Sequence, residues 1–311
     1  MRTGFPPTAA LVGFLFHFIV ARPAPARVEF TVTTHDLPAD VEPLEPLIRS
    51  NLVAAASAWA EFVDAKPCRV EIGFRLDRDA PSGRGSGRSS VSARLGDEKD
   101  AGGRIVSEQG WASMMRTGVD PNGPGHSDIE VNFEPRYFKT IWWDPHPERR
   151  SDRVPPDKLD SMSVLLHELG HALAFNGWID PKTGRLPGDG FVSTYDRHVK
   201  FDGRDFFFVG PHATRLWGGP VPLARTRTNY HHVCETPTGR DALLKPDLMN
   251  GIVMEYGRRY DITLLDLAIL RDCEVPLKPV VDTPAAGDDN AVRPAPRPKA
   301  RSSTSLRSRP D

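Results

Sequence analysis

The sequence predicts an α+β fold: a mixed, twisted sheet carrying one buried helix, a second helix near the C-terminus, and a loop-rich insertion between them. Three observations predict it. Between residues 28 and 76, apolar residues alternate, then recur at helical spacing, then alternate again, which is the order of a strand–helix–strand crossover. The stretch Ser161 to Trp178, SMSVLLHELGHALAFNGW, is apolar apart from a few polar groups. The 311 residues also include thirty prolines and twenty-six glycines, so long irregular connections join the regular elements.

Residues 1–26 read as a secretory signal. Arg2 gives a short positive region, Ala9 to Val20 an apolar run, and Ala24-Pro25-Ala26 a small-residue cleavage site. The apolar run is too short for a membrane span, so a secreted or extracytoplasmic product without stable membrane insertion is expected. A net charge of -1 gives no nucleic-acid signal. The oligomeric state is not legible.

In chain order, Val28, Phe30 and Val32 alternate with polar residues, which predicts a strand. Leu44, Leu47, Ile48, Leu52, Ala55, Ala56, Trp59 and Phe62 follow helical spacing, and Pro67 stops any continuation. Val70, Ile72, Phe74 and Leu76 predict the second strand. Asp77 to Arg88 is Gly/Ser-rich and reads as loop, with a third strand at Val91, Ala93 and Leu95. Ala101 to Gly125 reads mostly as loop. Ile129, Val131 and Phe133 predict a strand that either borders a cleft or is an ordinary member of the sheet. Tyr137 to Asp157, with Trp142 and Trp143, reads as loop.

Asp157 or Asp160 can cap the apolar helix, and Asn176-Gly177 is expected to end it. Phe206, Phe207, Phe208 and Val209 predict a short buried strand or a core plug. Helical spacing returns from Ile262, with Asp261 or Thr263 as cap. Residues 276–311 are Pro/Ala/Arg/Ser-rich and are expected to be disordered. The folded domain is therefore placed at 27–275.

Cys68, Cys234 and Cys273 suggest one disulfide and one leftover thiol in an oxidising compartment. Cys234 and Cys273 are the favoured pair, since both flank the C-terminal part of the chemistry described next; three buried thiols are the alternative.

His167, Glu168 and His171 form an H-E-x-x-H pattern. Histidines four apart lie about 400° around a helix and about 6 Å along it, so both face one side and can reach one metal ion. Glu168 stands beside that ion, the arrangement of a zinc hydrolase. An apolar helix that keeps these polar groups needs a partner for them. A catalytic zinc takes three protein ligands and keeps one place for water. No glutamate occurs between Glu168 and Glu235, which argues against a His-His-Glu ligand set. The compact continuation H-x-x-G-x-x-H fails at Ala174 and Gly177. A distant histidine remains: His198, His212, His231 or His232, with Asp196 a weaker choice.

Four segments carry a resemblance: HELGHALAF, VPL at Val221 to Leu223, YHHV followed by DLMNG, and ITLLDLAIL. In these the chain resembles metzincin-type zinc metallopeptidases of the leishmanolysin-like kind or a related bacterial secreted group. The resemblance implies a zincin catalytic domain with Zn2+ held by His167, His171 and His232, with His231 the alternative. It implies Glu168 as general base and Met249 in a methionine turn, with Met254 the alternative. The expected activity is hydrolysis of a protein or peptide substrate by zinc-activated water. A zinc-dependent non-peptidase amide hydrolase, or an inactive binding protein on the same fold, is the competing reading. For Tyr230 and Tyr256 ordinary packing is the favoured role, with stabilisation of the oxyanion the alternative. Ala174 departs from the glycine common at its position, so the bend is expected later. Cys68 does not resemble a latency cysteine.

Overall fold

The computed structural model describes residues 28–78, 84–188, 190–225, 230–234, 239–251 and 254–279. The expected signal segment and all but the first residues of the expected tail lie outside them. Among the described residues no helix is long and apolar enough to cross a membrane.

The chain is mixed α+β. The N-terminal half holds β1 (Val28–His35), α1 (Glu45–Ala60), β2 (Cys68–Leu76), β3 (Gly85–Ser89), β4 (Ser92–Lys99), β5 (Ile105–Gln109), α2 (Gly110–Thr117), β6 (Ile129–Phe133), α3 (Pro135–Phe138) and β7 (Ile141–Trp142). Then follow β8 (Leu159–Asp160), α4 (Ser161–Leu173), β9 (Phe191–Ser193), β10 (Val199–Phe201), β11 (Phe206–Phe208), α5 (Pro211–Trp217), β12 (Val221–Leu223) and α6 (Leu264–Asp272).

The main sheet has the order β1-β2-β6-β3. β1, β2 and β6 are parallel, and β3 runs antiparallel along β6 at the edge. The alternation read from Val28 and from Val70 therefore becomes two adjacent parallel strands joined by α1. α1 buries Ile48, Leu52, Ala55, Ala56 and Trp59, and each large apolar side chain contributes about 1.5–3 kcal/mol on burial. The Trp59 indole N–H donates to the Leu166 carbonyl at 2.9 Å, tying α1 to α4. α4 thus packs beside α1, against β3 and β6 of the sheet, and is buried along most of its length.

Several expectations are corrected. Ala101 to Gly125 is not mostly loop: it contains β5 and α2. β5 hid from a period-two reading because Val106, Ser107, Glu108 and Gln109 are all buried. Glu108 is buried against Arg116, 2.9 Å away. The Gly/Ser-rich stretch does not stay loop up to Arg88, because Gly85–Ser89 is the edge strand β3. β6 is therefore an interior strand, and the edge beside the candidate site belongs to β3.

α4 ends at Leu173, not at Asn176-Gly177, with Ala174 breaking the helical backbone at φ -161. α5 was not read from the sequence, although Pro211 opens it and Gly218, at φ 79, closes it. Thr263, not Asp261, caps α6 through a reciprocal capping box with Asp266. The first residues of the expected tail pack back: Leu277 bridges Val63, and the Lys278 amide donates to the Phe62 carbonyl at 2.8 Å. Cys234 and Cys273 are not joined; all three cysteines are free thiols, and these two are buried.

Candidate metal centre

α4 starts where Asp160 accepts from the Ser163 amide at 3.0 Å and its hydroxyl at 2.6 Å. Asp160 is in turn paired with Arg150 at 3.2 Å and Arg259 at 3.4 Å, so the helix start is fastened to the segment before α6. Between its second and third turns the helix presents His167, Glu168 and His171 together.

The His167 and His171 Nε2 atoms are 3.2 Å apart. His232 joins them, its Nε2 lying 3.0 Å from His171 and 3.1 Å from His167. The three nitrogens form a near-equilateral triangle on half-buried rings, and the three residues could hold a metal ion. The other ring nitrogens fix the tautomers. His167 Nδ1 is 2.8 Å from the Leu248 carbonyl, and His171 Nδ1 is 2.7 Å from the Phe175 carbonyl. A carbonyl only accepts, so each Nδ1 carries the proton and each Nε2 offers a lone pair. Burial lowers the pKa of His167. Burial, together with His232 and His167, lowers that of His171 well below the ordinary value. Neutral imidazoles with converging lone pairs repel one another; a cation between them removes that repulsion.

The bond from His171 to Phe175 also accounts for the early helix end. The chain must turn at Ala174 to bring the Phe175 carbonyl back under the ring.

His232 is set by a short ladder. The Ala224 amide donates to the His232 carbonyl at 2.9 Å, and the Val233 amide to the Met249 carbonyl at 2.9 Å. The Gly251 amide returns to Val233 at 2.8 Å. One turn, Asp247 to Gly251, therefore positions both the His232 segment and the Leu248 carbonyl that holds His167. Met249 is fully buried in this turn. A Cβ at Gly170 would lie 2.6 Å from Met249 Sδ, so glycine there lets the turn pack directly beneath α4. Met254 packs on the core outside this turn.

Glu168 is buried, and burial pushes its pKa up to about 8, opposed by a hydrogen bond from the Gly87 amide. A nearby cation would favour its ionised form. Gly87 is part of the edge strand, and a Cβ there would stand 2.1 Å from the Glu168 carbonyl oxygen. Ser89 continues the contact by donating to the Ala172 carbonyl at 2.9 Å.

The other candidates lie elsewhere. His231 Nε2 accepts from the Gly177 amide at 3.0 Å, and burial lowers its pKa to about 4. It braces the loop after α4 and is not one of the three converging histidines. His198 lies against Phe208, and the His212 amide is bonded to Asp272. Asp196 accepts from the Trp178 amide at 2.6 Å and the Tyr230 hydroxyl at 2.9 Å. The Tyr230 hydroxyl also accepts from the Ile179 amide at 2.8 Å, so it is fully engaged and not placed to hold an oxyanion. Tyr256 is 51% exposed.

Sequence reasoning missed the glycines that make the centre compact. At Gly177 the nearest Asp196 oxygen would meet a Cβ at 2.0 Å, and Gly85, Gly87 and Gly170 make similar close approaches. The alternating glycines of GSG at 85–87 were the available signal.

The fold and this site define an α+β protein with a three-histidine candidate metal centre and a buried glutamate beside it. No family model, curated protein or solved structure matches the chain.

Proposed function

We propose that this chain is a secreted zinc-dependent endopeptidase with a metzincin-like (zincin) catalytic domain. The observation that carries the reading is the convergence of three Nε2 lone pairs, 3.0–3.2 Å apart, next to a buried glutamate on the same helix. Zinc is the favoured ion because tetrahedral ligands about 2.0–2.1 Å from it stand about 3.3–3.4 Å apart, close to the spacing here. Bound zinc would lower the pKa of water to about 7 and polarise the scissile carbonyl.

The chain's own residues supply the remainder. His167, His171 and His232 hold the ion, their Nδ1 protons or backbone setting fixing the rings. Glu168 accepts the proton of the attacking water and delivers it to the leaving amine. The Gly87 amide keeps the Glu168 carboxylate aimed. The edge strand β3, running beside Glu168, suits an extended peptide adding as a further strand. Met249 serves as the methionine-turn residue under the centre. Export rests on the N-terminal segment, with residues 27–275 as the catalytic unit.

Glu168→Gln tests the mechanism. Zinc should remain stoichiometric while casein or peptide cleavage falls by about 10²- to 10⁴-fold. An unchanged rate with zinc bound would remove Glu168 from the chemistry.

A further inference from the structure

Away from the histidines, the connection from α2 to β6 reads DPNGPGHSD, from Asp120 to Asp128. It is folded on its own oxygen atoms. Asp120 Oδ1 accepts from the Asn122 amide at 2.9 Å and the Gly123 amide at 2.8 Å. Asn122 Nδ2 donates to the Ser127 carbonyl at 3.0 Å. That bond fixes the amide orientation, since a flipped side chain would press oxygen against oxygen. It leaves Asn122 Oδ1 buried without a donor.

Asp128 repeats the pattern at the start of β6. Its amide donates to the Glu71 carbonyl at 2.7 Å, and its Oδ2 accepts from the Glu71 amide at 2.7 Å. The residue is only 3% exposed, and its Oδ1 is buried with no donor. That carboxylate faces Asp120 within hydrogen-bond reach, with the charge of Glu71 nearby. Among the described residues no lysine or arginine forms an ion pair with Asp120, Asp128 or Glu71. Burial first, then the Asp120 and Glu71 charges, raise the Asp128 pKa to about 6.

Asp128 Oδ1, buried without a donor on a carboxylate that faces Asp120, needs a positive partner, and Asn122 Oδ1 in the same connection is a second buried oxygen without a donor. We propose that Asp120, Asn122 and Asp128 form a calcium site that fastens the α2–β6 connection to the first residue of β6. The donors are all oxygen, which selects a hard cation over zinc, and calcium tolerates the irregular geometry of a loop. Asp120 is half-exposed, so an ion enters from solvent and water completes its shell. The site is independent of the histidine centre and of the reaction proposed there. Through β6 it would hold the strand that pairs with β3.

Titration of CaCl2 into the zinc-loaded protein by calorimetry tests this. Zinc saturation keeps the histidines out of the signal. One calcium per chain is expected, with a thermal midpoint that rises on calcium addition. Asp120→Asn and Asp128→Asn should each weaken binding at least tenfold and abolish the thermal shift. Asn122→Ala, on a half-exposed residue, gives the same comparison if an aspartate variant fails to fold. No saturable heat up to about 10 mM calcium, roughly ten times the weak end of calcium sites at about 1 mM, would overturn the proposal. So would binding that the folded variants leave unchanged. A calcium-insensitive wild type whose midpoint rises in Asp128→Asn would show instead that the two carboxyls share a proton, and would also overturn it.

Discussion

Gly87→Ala probes the tightest contact at the candidate centre. An added Cβ would lie 2.1 Å from the Glu168 carbonyl oxygen, 2.5 Å from its carbonyl carbon and 2.8 Å from its Cβ. The first two atoms belong to the backbone in the middle of α4 and cannot rotate aside. Restoring ordinary contact, 3.4 Å at the least, requires β3 to withdraw by about 1.3 Å (3.4 minus 2.1). Overpacking of this kind costs about 1–3 kcal/mol. The same withdrawal breaks the Gly87 amide bond to the Glu168 carboxylate, a charge-assisted bond that contributes about 1.5–3 kcal/mol. For a domain of this size each kcal/mol moves the melting temperature by about 2–4 °C. The variant should therefore melt at least about 5 °C lower, with peptide hydrolysis reduced at equal zinc content. Gly85→Ala is the control, because its close contacts are side-chain atoms of Phe133 and Glu168, which can shift, and its melting temperature should fall less. A Gly87→Ala protein with wild-type melting temperature and activity would refute the packing of β3 against α4.

His232→Ala should lose stoichiometric metal, whereas His231→Ala should keep it and lose only stability, since His231 braces Gly177; metal analysis of both purified variants separates them. Alkylation of the unfolded protein without prior reduction should label three thiols, and a single labelled thiol by intact mass would restore the Cys234–Cys273 bridge. Asp247 and Asp266 are buried side by side, Thr263 Oγ1 donating to Asp247 at 2.7 Å, and burial raises both pKa values, that of Asp266 well above the ordinary range. A carboxyl whose folded pKa is raised stabilises below its unfolded value of about 3.9 and loses that contribution as pH climbs through the folded value. The wild type should thus lose melting temperature above about pH 4 more steeply than Asp266→Asn; equal slopes would show that this pair does not share a proton.

The sequence by itself determined the local parts of this protein. The alternation at Val28 and Val70 and the helical spacing of α1 are short-range regularities, readable because each element buries one face; α4, buried almost throughout, is readable from its length and its H-E-x-x-H spacing. The H-E-x-x-H spacing likewise follows from helix geometry alone, since positions four apart share a face. Elements buried on every side, such as β5 and α2, carry no such contrast and read as loop. Tertiary structure decided everything that depends on distant segments meeting. His232 and His231 are neighbours in sequence with identical chemistry; only the ladder from Ala224 through Val233 to Met249 turns one toward His171 and the other toward Gly177. The early end of α4 depends on a His171–Phe175 bond that no propensity encodes. The glycines at 85 and 87 read in sequence as part of a Gly/Ser-rich loop, and Gly170 as one residue of an apolar helix. In the fold they are the places where β3 and the Met249 turn approach α4 most closely, against backbone at Gly87 and against side chains at Gly85 and Gly170.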